Sequence, residues 1–307
     1  MESVILSKTP KIYKNSSLNH ASFQEFSHTD YRVFLHLISK IGGVDEFGKY
    51  LQPNRLKRTY TLTAAEFNDV FQVPPTHCYS ILKKAVNRLM KTDIRVQKPE
   101  EDSYWRINIC SQAEYKKKEG KIIIEFTDRI MPYLAQVKQK FLLYNLKEIS
   151  NFKSIYTTRL YELLQEFKET GWMLKSIEQL RETFAVGDKF KVYNNFKRRT
   201  FVHACDEINK IYHMSLRFEE IKNGLKIVAI KFFFRQTKVQ KITNQITGVT
   251  RNVYEKPTPS VLKKRQYTKR VSSDKELDAQ TMPKTSGSFQ SLQGILSSLV
   301  SGFNKKK

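Results

Sequence analysis

The chain has 307 residues, of which 40% are hydrophobic, and its formal net charge is +24 at pH 7. This length accommodates two domains and a tail, and the charge favours a polyanionic partner, either nucleic acid or an anionic membrane surface. No apolar run reaches transmembrane length, and the first residues lack a secretory signal pattern. The three cysteines, Cys78, Cys110 and Cys205, are too scattered for a metal site or a disulfide framework. We therefore expect a cytoplasmic protein of a reducing compartment.

Residues 1–28 are mixed in composition and are expected to form a poorly ordered N-terminal arm, apart from a strand or turn around residues 22–26. Thr29 or Asp30 is the predicted N-cap of the first helix. Apolar residues from Val33 to Ile41 lie on one side of this helix, and Gly42 and Gly43 follow its end.

From residue 59 to 137 the predicted order is strand, short helix, basic helix and hairpin. Thr63 and Glu66 have the spacing of a capping box, and Thr76 is the predicted cap of the helix after Pro74-Pro75. The apolar stripe of that helix consists of Tyr79, Leu82, Val86, Leu89 and Met90. Strands are predicted at residues 94–97, 104–110 and 121–126, a wing at 115–120 and a closing helix at 128–137. Residues 29–140 are thus predicted to be an N-terminal winged-helix domain, with candidate DNA-binding residues His77, Lys83, Lys84, Asn87 and Arg88.

Residues 141–235 repeat this order after a predicted long helix, Leu146–Thr170. Ser176 and Gln179 have capping-box spacing, and Gly187 suits the turn after the short helix that they begin. In the next helix, residues 193–212, apolar residues recur at helical spacing and predict an inward face of Phe196, Thr200, Ala204, Ile208 and Ile211. Asn223-Gly224 predicts a two-residue hairpin turn. We interpret residues 141–235 as a C-terminal winged-helix domain, which places its second helix in the DNA major groove.

The candidate DNA-binding residues of this second domain are basic or amide side chains that fall off the apolar stripe or lie on the wing. Arginine makes paired contacts with guanine, and asparagine with adenine, so Arg198 is the predicted base reader. Lys197 is the predicted phosphate contact, which positions the protein without reading sequence. The full set is Lys191, Asn194, Asn195, Lys197, Arg198, Arg199, His203, Lys222, Asn223 and Lys226.

After residue 235 the composition becomes basic and polar, which predicts a disordered tail over residues 236–307. The basic run Lys263–Arg270 either binds phosphates or forms a solvated linker. Apolar residues from Phe289 to Phe303 recur at helical spacing, and this segment either docks a partner or packs against its own protein. The predicted fold class is α+β, with tandem winged-helix domains and a disordered basic C-terminal tail.

Catalytic patterns are missing from the sequence. No His-x-His pair, metal-ligand cluster or nucleophile elbow occurs. Residues 43–49 match most of a phosphate-binding loop, but Tyr50 stands where that loop needs the hydroxyl of a serine or threonine for magnesium. We therefore predict a binding protein without enzymatic activity, metal or cofactor.

Several segments resemble the replication initiators of iteron-controlled, theta-replicating bacterial plasmids. They are Tyr156–Leu164, Leu180–Phe184, Tyr193–Arg199, Glu207–Asn209 and the hairpin Phe218–Phe234. The resemblance is weaker over residues 29–137, where the order of elements matches better than the residues. It implies a pair of winged helices that bind directly repeated origin sites (iterons) and open the origin as a monomer. It also implies a dimer that represses its own gene, and contacts with the host initiator and the replicative helicase.

Three classes of function remain open on the sequence. The leading hypothesis is a plasmid replication initiator. The second is a transcriptional repressor with the same fold, acting at an inverted-repeat operator. The third is a nicking or relaxing enzyme, against which the missing His pair argues.

Overall fold

The computed structural model describes residues 10–24, 26–41, 53–98, 103–134, 141–235, 239–243 and 250–254. The chain begins with strand β1 (Lys11–Asn15) and helix α1 (Ser16–His20). β1 pairs antiparallel with β7 (Phe141–Asn145), and Ile12 and Leu18 are fully buried. The expectation of a poorly ordered arm is therefore wrong for residues 11–20. These residues have a strand partner about 130 residues away and contribute apolar side chains to the core.

The first winged helix begins with α2 (His28–Ser39), β2 (Thr59–Thr63), α3 (Ala64–Phe71) and α4 (Pro75–Lys91). The capping box of Thr63 and Glu66 is confirmed. Ser27, rather than Thr29 or Asp30, caps α2, because the Asp30 carboxylate bonds back to the Ser27 backbone as the third residue of the box.

Helix α4 differs from its prediction at the start and along its apolar side. Pro75 occupies the first helical position, where the fixed φ of proline suits the helix, and among the described contacts no side chain caps it, so Thr76 is not the cap. The buried residues are Cys78, Leu82, Ala85, Val86 and Leu89, whereas Tyr79 and Met90 are 46% and 44% exposed. The Tyr79 ring lies against Gly120, where an added Cβ would stand 2.5 Å from it and φ is +58°.

The sheet of the first domain has the strand order β2-β6-β5, with β5 at Cys110–Lys116 and β6 at Lys121–Phe126. The wing lies between β5 and β6. The predicted strand over residues 104–110 is wrong as one element, because β3 (Asp93–Lys98) and β4 (Ser103–Asn108) form a separate hairpin ahead of β5. The predicted closing helix over residues 128–137 starts later than expected, because residues 128–130 form a turn and helix α5 begins at Met131 (Met131–Leu134).

The predicted helix over residues 146–170 is broken in two. Asn145 caps a short 3-10 turn at Leu146–Ile149, and Ser154 caps helix α6 (Ile155–Glu166). Arg32 donates to the carbonyls of Ser150 and Phe152 inside the break. The break therefore has its own hydrogen-bond partners, which a continuous apolar stripe does not reveal.

The second winged helix consists of β8 (Trp172–Ser176), α7 (Ile177–Thr183), α8 (Tyr193–Lys197), α9 (His203–Tyr212), β9 (Arg217–Asn223) and β10 (Lys226–Phe233). Its sheet order is β8-β10-β9, and the capping box of Ser176 and Gln179 is confirmed. The hairpin turn is shifted by one residue from the prediction. Asn223 pairs with Lys226, so Gly224 and Leu225 form the turn, and Gly224 has φ +59°, which a turn with glycine first requires.

Within the predicted tail, β11 (Val239–Thr243) and β12 (Thr250–Tyr254) pair as a hairpin, so the expectation of disorder is wrong for these ten residues. The basic run 263–270, the apolar stripe 289–303 and the rejected phosphate loop at 43–49 lie outside the described residues. No helix in the described part of the chain is long and apolar enough to cross a membrane.

Candidate nucleic-acid interface

The helical segment from Tyr193 to Tyr212 presents polar side chains on its outer side. Asn194, Asn195, Arg198, Arg199 and His203 are exposed, as predicted. Of its predicted inward positions, Phe196, Thr200, Ala204 and Ile208 have no exposed surface, and Ile211 is partly buried against the core. The apolar stripe therefore fixes which side chains face solvent, and it leaves two adjacent arginines on the outer face.

A π-helical turn (Arg198–Val202) joins α8 to α9. The inward residues recur every four positions, whereas an α-helix turns about 100° per residue, so a straight helix would rotate the stripe by about 120° between Phe196 and Ile208. A π turn contains one extra residue, which reduces that rotation to about 20°. The Thr200 hydroxyl donates to the Phe196 carbonyl at 2.7 Å. The repeated spacing of four residues between the inward side chains thus indicates the π turn. The sequence-based prediction of one continuous α-helix missed this signal.

Lys197 departs from the prediction of an exposed side chain. Its side chain is 31% exposed, and its Nζ lies 2.6 Å from Oε1 of Glu220 on β9. The same carboxylate oxygen accepts from the Tyr193 hydroxyl at 2.7 Å. These hydrogen bonds hold the pKa of the Glu220 carboxyl below its ordinary value, mainly through Lys197. Glu220, which the sequence did not single out, therefore connects α8 to the wing.

Arg181 of α7 orders the turn before α8. Its guanidinium donates to the carbonyls of Phe190 and Lys189, each at 2.9 Å, and of Gly187 at 3.2 Å. It also lies 5.1 Å from the centre of the Phe196 ring. The turn leads directly into the exposed Lys191, so Arg181 fixes the entry of the basic helix.

The wing of the second domain carries Lys222, Asn223 and Lys226, all exposed as predicted. Leu225 at its tip is fully exposed. In a winged helix the hairpin lies beside the second helix, so these side chains extend the basic surface past the end of the helix.

The predicted DNA-binding residues of the first domain are also on the surface. His77, Lys83, Lys84, Asn87 and Arg88 of α4 are all exposed. The Arg88 Nε lies 3.6 Å from the Asp30 carboxylate, so part of its charge is balanced within the protein. Across the part of the chain that the structure describes, no group of three His, Cys, Asp or Glu side chains forms a metal site.

Two winged helices in one chain, each with a basic exposed helix followed by a wing, define a tandem winged-helix protein of the DNA-binding class. Two family models cover most of the described residues. One, described as Initiator Replication protein, WH1, matches residues 11–165, and the other, Initiator Rep protein, WH2, matches residues 176–234. The chain belongs to this family of initiator replication proteins, and the resemblance found in the sequence is confirmed. The first match extends past the predicted domain boundary at residue 140, which stays a prediction.

Two similar proteins are from Escherichia coli. A "Replication initiation protein" is 27% identical over 158 residues, which cover 48% of this chain and 46% of that protein. The "PI protein" is 29% identical over 146 residues, which cover 42% of this chain and 48% of that protein. The chain thus spans about half the length of these curated relatives.

One solved structure has the same tandem fold. It is described as the Pi initiator protein in complex with iteron DNA, and it superposes with a TM-score of 0.61 at 22% identity, covering 75% of this chain and 99% of that one. At this identity the match establishes the fold alone, and it confirms the predicted tandem winged-helix architecture.

Proposed function

We propose that this protein is a plasmid replication initiator that binds directly repeated origin sites in a sequence-specific way. The observation that carries the proposal is the exposed face of α8 and the π turn, with Asn195, Arg198 and Arg199 beside the basic wing, in a chain of the initiator replication family. Asn and Arg are the side chains that read adenine and guanine by paired hydrogen bonds.

Contacts with the DNA phosphates, which do not depend on base sequence, supply the affinity in this proposal. The wing residues Lys222 and Lys226, and Lys83 and Lys84 of the first domain, are exposed cations. Each phosphate that such a cation neutralises releases counterions, which strengthens binding without regard to sequence. A division of work follows, in which arginines on the π turn select the site and the surrounding lysines hold the protein on the backbone.

Origin opening would use binding free energy rather than catalysis. Several copies on successive repeats would favour a deformed duplex, and an AT-rich neighbour is the easiest stretch to separate. We further propose recruitment of the host initiator and the replicative helicase, and a dimer in equilibrium with the monomer, which would limit plasmid copy number through repression of its own gene. In this proposal the protein acts in the bacterial cytoplasm, bound to plasmid DNA, without enzymatic activity or a cofactor.

Footprinting on the DNA upstream of the gene tests this function. We expect the full chain to protect tandem direct repeats spaced by about two helical turns, since that spacing places successive copies on one face of the duplex. Permanganate should then react with thymines in an adjacent AT-rich stretch. Protection of an inverted repeat alone, with no permanganate reactivity, would make the protein a repressor. Nicked supercoiled DNA would make it an enzyme.

A further inference from the structure

Glu220 is a carboxylate within the predicted DNA-binding surface of the second domain. Its Oε1 accepts from both Tyr193 and Lys197, which are four residues apart and therefore lie on one side of α8. The Lys197 ammonium also lies 5.5 Å from the centre of the Phe218 ring on the same strand. One carboxylate thus holds both ends of α8 against the wing.

Partial burial strengthens this ion pair. The Lys197 and Glu220 side chains are 31% and 23% exposed, so water and salt screen their attraction less than they screen a surface pair. Arg198 and Arg199, which follow directly, are exposed, and no ion pair involves either of them within the part of the chain that the structure describes. The Lys197 ammonium is therefore engaged with Glu220, while the Arg198 and Arg199 side chains are available to DNA.

The pair has two consequences for DNA binding. A lysine that is engaged with Glu220 must break that bond before it neutralises a phosphate, so it adds little to sequence-independent affinity. The tether also fixes α8 in rotation against β9, so that Asn195 and Arg198 keep one orientation relative to the wing. Orientation matters because paired contacts with a base need defined geometry.

We infer that Glu220 is a specificity-determining residue. By holding Lys197 and Tyr193 against the wing, it lowers affinity for unrelated DNA and orients the base-reading side chains on the repeat. It acts through other residues and is a positioning residue rather than a base contact. The inference rests on the proposed function, and it reverses the assignment of Lys197 to a phosphate.

Glu219 provides a matched control on the same strand. Successive side chains point to opposite faces of a sheet, and the exposed Glu219 pairs with Arg217 at 2.7 Å, away from α8. Glu220→Gln and Glu219→Gln therefore change net charge equally, at adjacent positions, and only the first disturbs the tether.

The probes are a duplex that the wild-type chain enriches from a random pool and a scrambled duplex of the same composition. Fluorescence anisotropy over a series of salt concentrations gives affinity and salt slope for each. Glu220→Gln should bind the scrambled duplex with a salt slope steeper by about 0.9, one added phosphate contact, equivalent to about 3.5-fold between 50 and 200 mM salt. Its preference for the enriched duplex should fall by at least about threefold, whereas Glu219→Gln should keep the wild-type preference.

The salt slope of Glu219→Gln separates a released lysine from a simple gain of positive charge, because this variant gains the same charge and should keep the wild-type slope. The double variant Glu220→Gln/Lys197→Met removes the released lysine itself. It should return the salt slope on scrambled DNA to the wild-type value. A preference in Glu220→Gln equal to that of Glu219→Gln, or a double variant that keeps the steeper slope, would overturn the inference. Loss of the folded state in Glu220→Gln, seen by circular dichroism, would make Glu220 a stability residue and also overturn it. If the wild-type chain enriches no duplex, the proposed function itself fails.

Discussion

Glu162 of α6 is fully buried where this helix packs against β1, α2 and β7. Its carboxylate lies 2.6 Å from the Lys14 ammonium and 2.9 Å from the Arg159 guanidinium. It also accepts from the hydroxyls of Tyr31 and Tyr144, each at 2.6 Å. Replacement of Glu162 by glutamine therefore removes the negative charge from a site that holds two buried cations.

The expected loss of stability follows from the charges. Lys14, Arg159 and Glu162 together carry one excess positive charge, and Glu162→Gln raises the excess to two. Removal of one partner from a buried ion pair costs about 3–5 kcal/mol, against a total stability of about 5–15 kcal/mol for a typical domain. Lys14→Met instead leaves Arg159 and Glu162 as a balanced pair, so its cost should be about 1 kcal/mol, near the net value of one hydrogen bond.

Urea denaturation of the full chain at pH 7 measures both values, and equal m-values would make the comparison valid. We expect Glu162→Gln to lose about 3 kcal/mol or more and Lys14→Met to lose much less. The reasoning is refuted if the two variants lose the same stability, or if Lys14→Met loses more. Either result would mean that the hydrogen bonds of Lys14, rather than the balance of charge, stabilise this contact.

Three further predictions concern pH and sequence reading. Burial lowers the pKa of Lys14 from 10.5 to about 8, so between these pH values the unfolded state binds more protons than the folded state. The stability of the wild type relative to Lys14→Met should therefore rise from pH 8 towards pH 10. Burial lowers the pKa of His36 from 6.5 to about 4, so the stability of the wild type should fall as pH decreases through this window. His36→Leu should show a smaller fall in the same urea titrations. Parallel plots of stability against pH for the two proteins would exclude the histidine as the cause. Arg198→Ala should lose the preference for the repeat over scrambled DNA by about 1–3 kcal/mol, whereas Lys222→Ala should weaken both complexes similarly; an unchanged preference in Arg198→Ala would mean that the base-reading residue is misassigned.

Local signals in the sequence predicted most elements of the two winged helices. Ser176 and Gln179 stand three residues apart, so a capping box is visible without tertiary structure. The apolar stripe of the second helix was equally local, and it placed Arg198 and Arg199 on the surface, as the structure confirms. These successes share a cause, which is that the interacting groups lie within one turn of each other.

The failures involve partners that are distant in sequence. Residues 1–28 were predicted to be a poorly ordered arm because the partners of this segment are remote: Lys14 pairs with Glu162, which lies 148 positions away. Lys197 and Glu220 are another such pair. Glu220 lies on β9, and the position of β9 depends on its pairing with β10. The π turn is the exception, since the spacing of four from Phe196 to Ile208 was a local signal. Which of the candidate DNA-binding side chains contact DNA stays a prediction.

The basic helix of the second domain is connected to the first domain by a continuous series of polar contacts. Glu207 of α9 accepts from the Thr157 hydroxyl of α6 at 2.5 Å. Two residues further along α6, Arg159 donates to the Tyr31 hydroxyl of α2 and to the carbonyls of Asn19 and Ala21. Helix α6 also carries Glu162, which contacts Lys14 of the N-terminal segment. The same helix therefore contacts the N-terminal segment and α9, which directly follows the π turn with Arg198. When one winged helix binds DNA, the other is therefore already oriented. Binding of the second domain to DNA would then lose less orientational freedom than it would through a flexible linker.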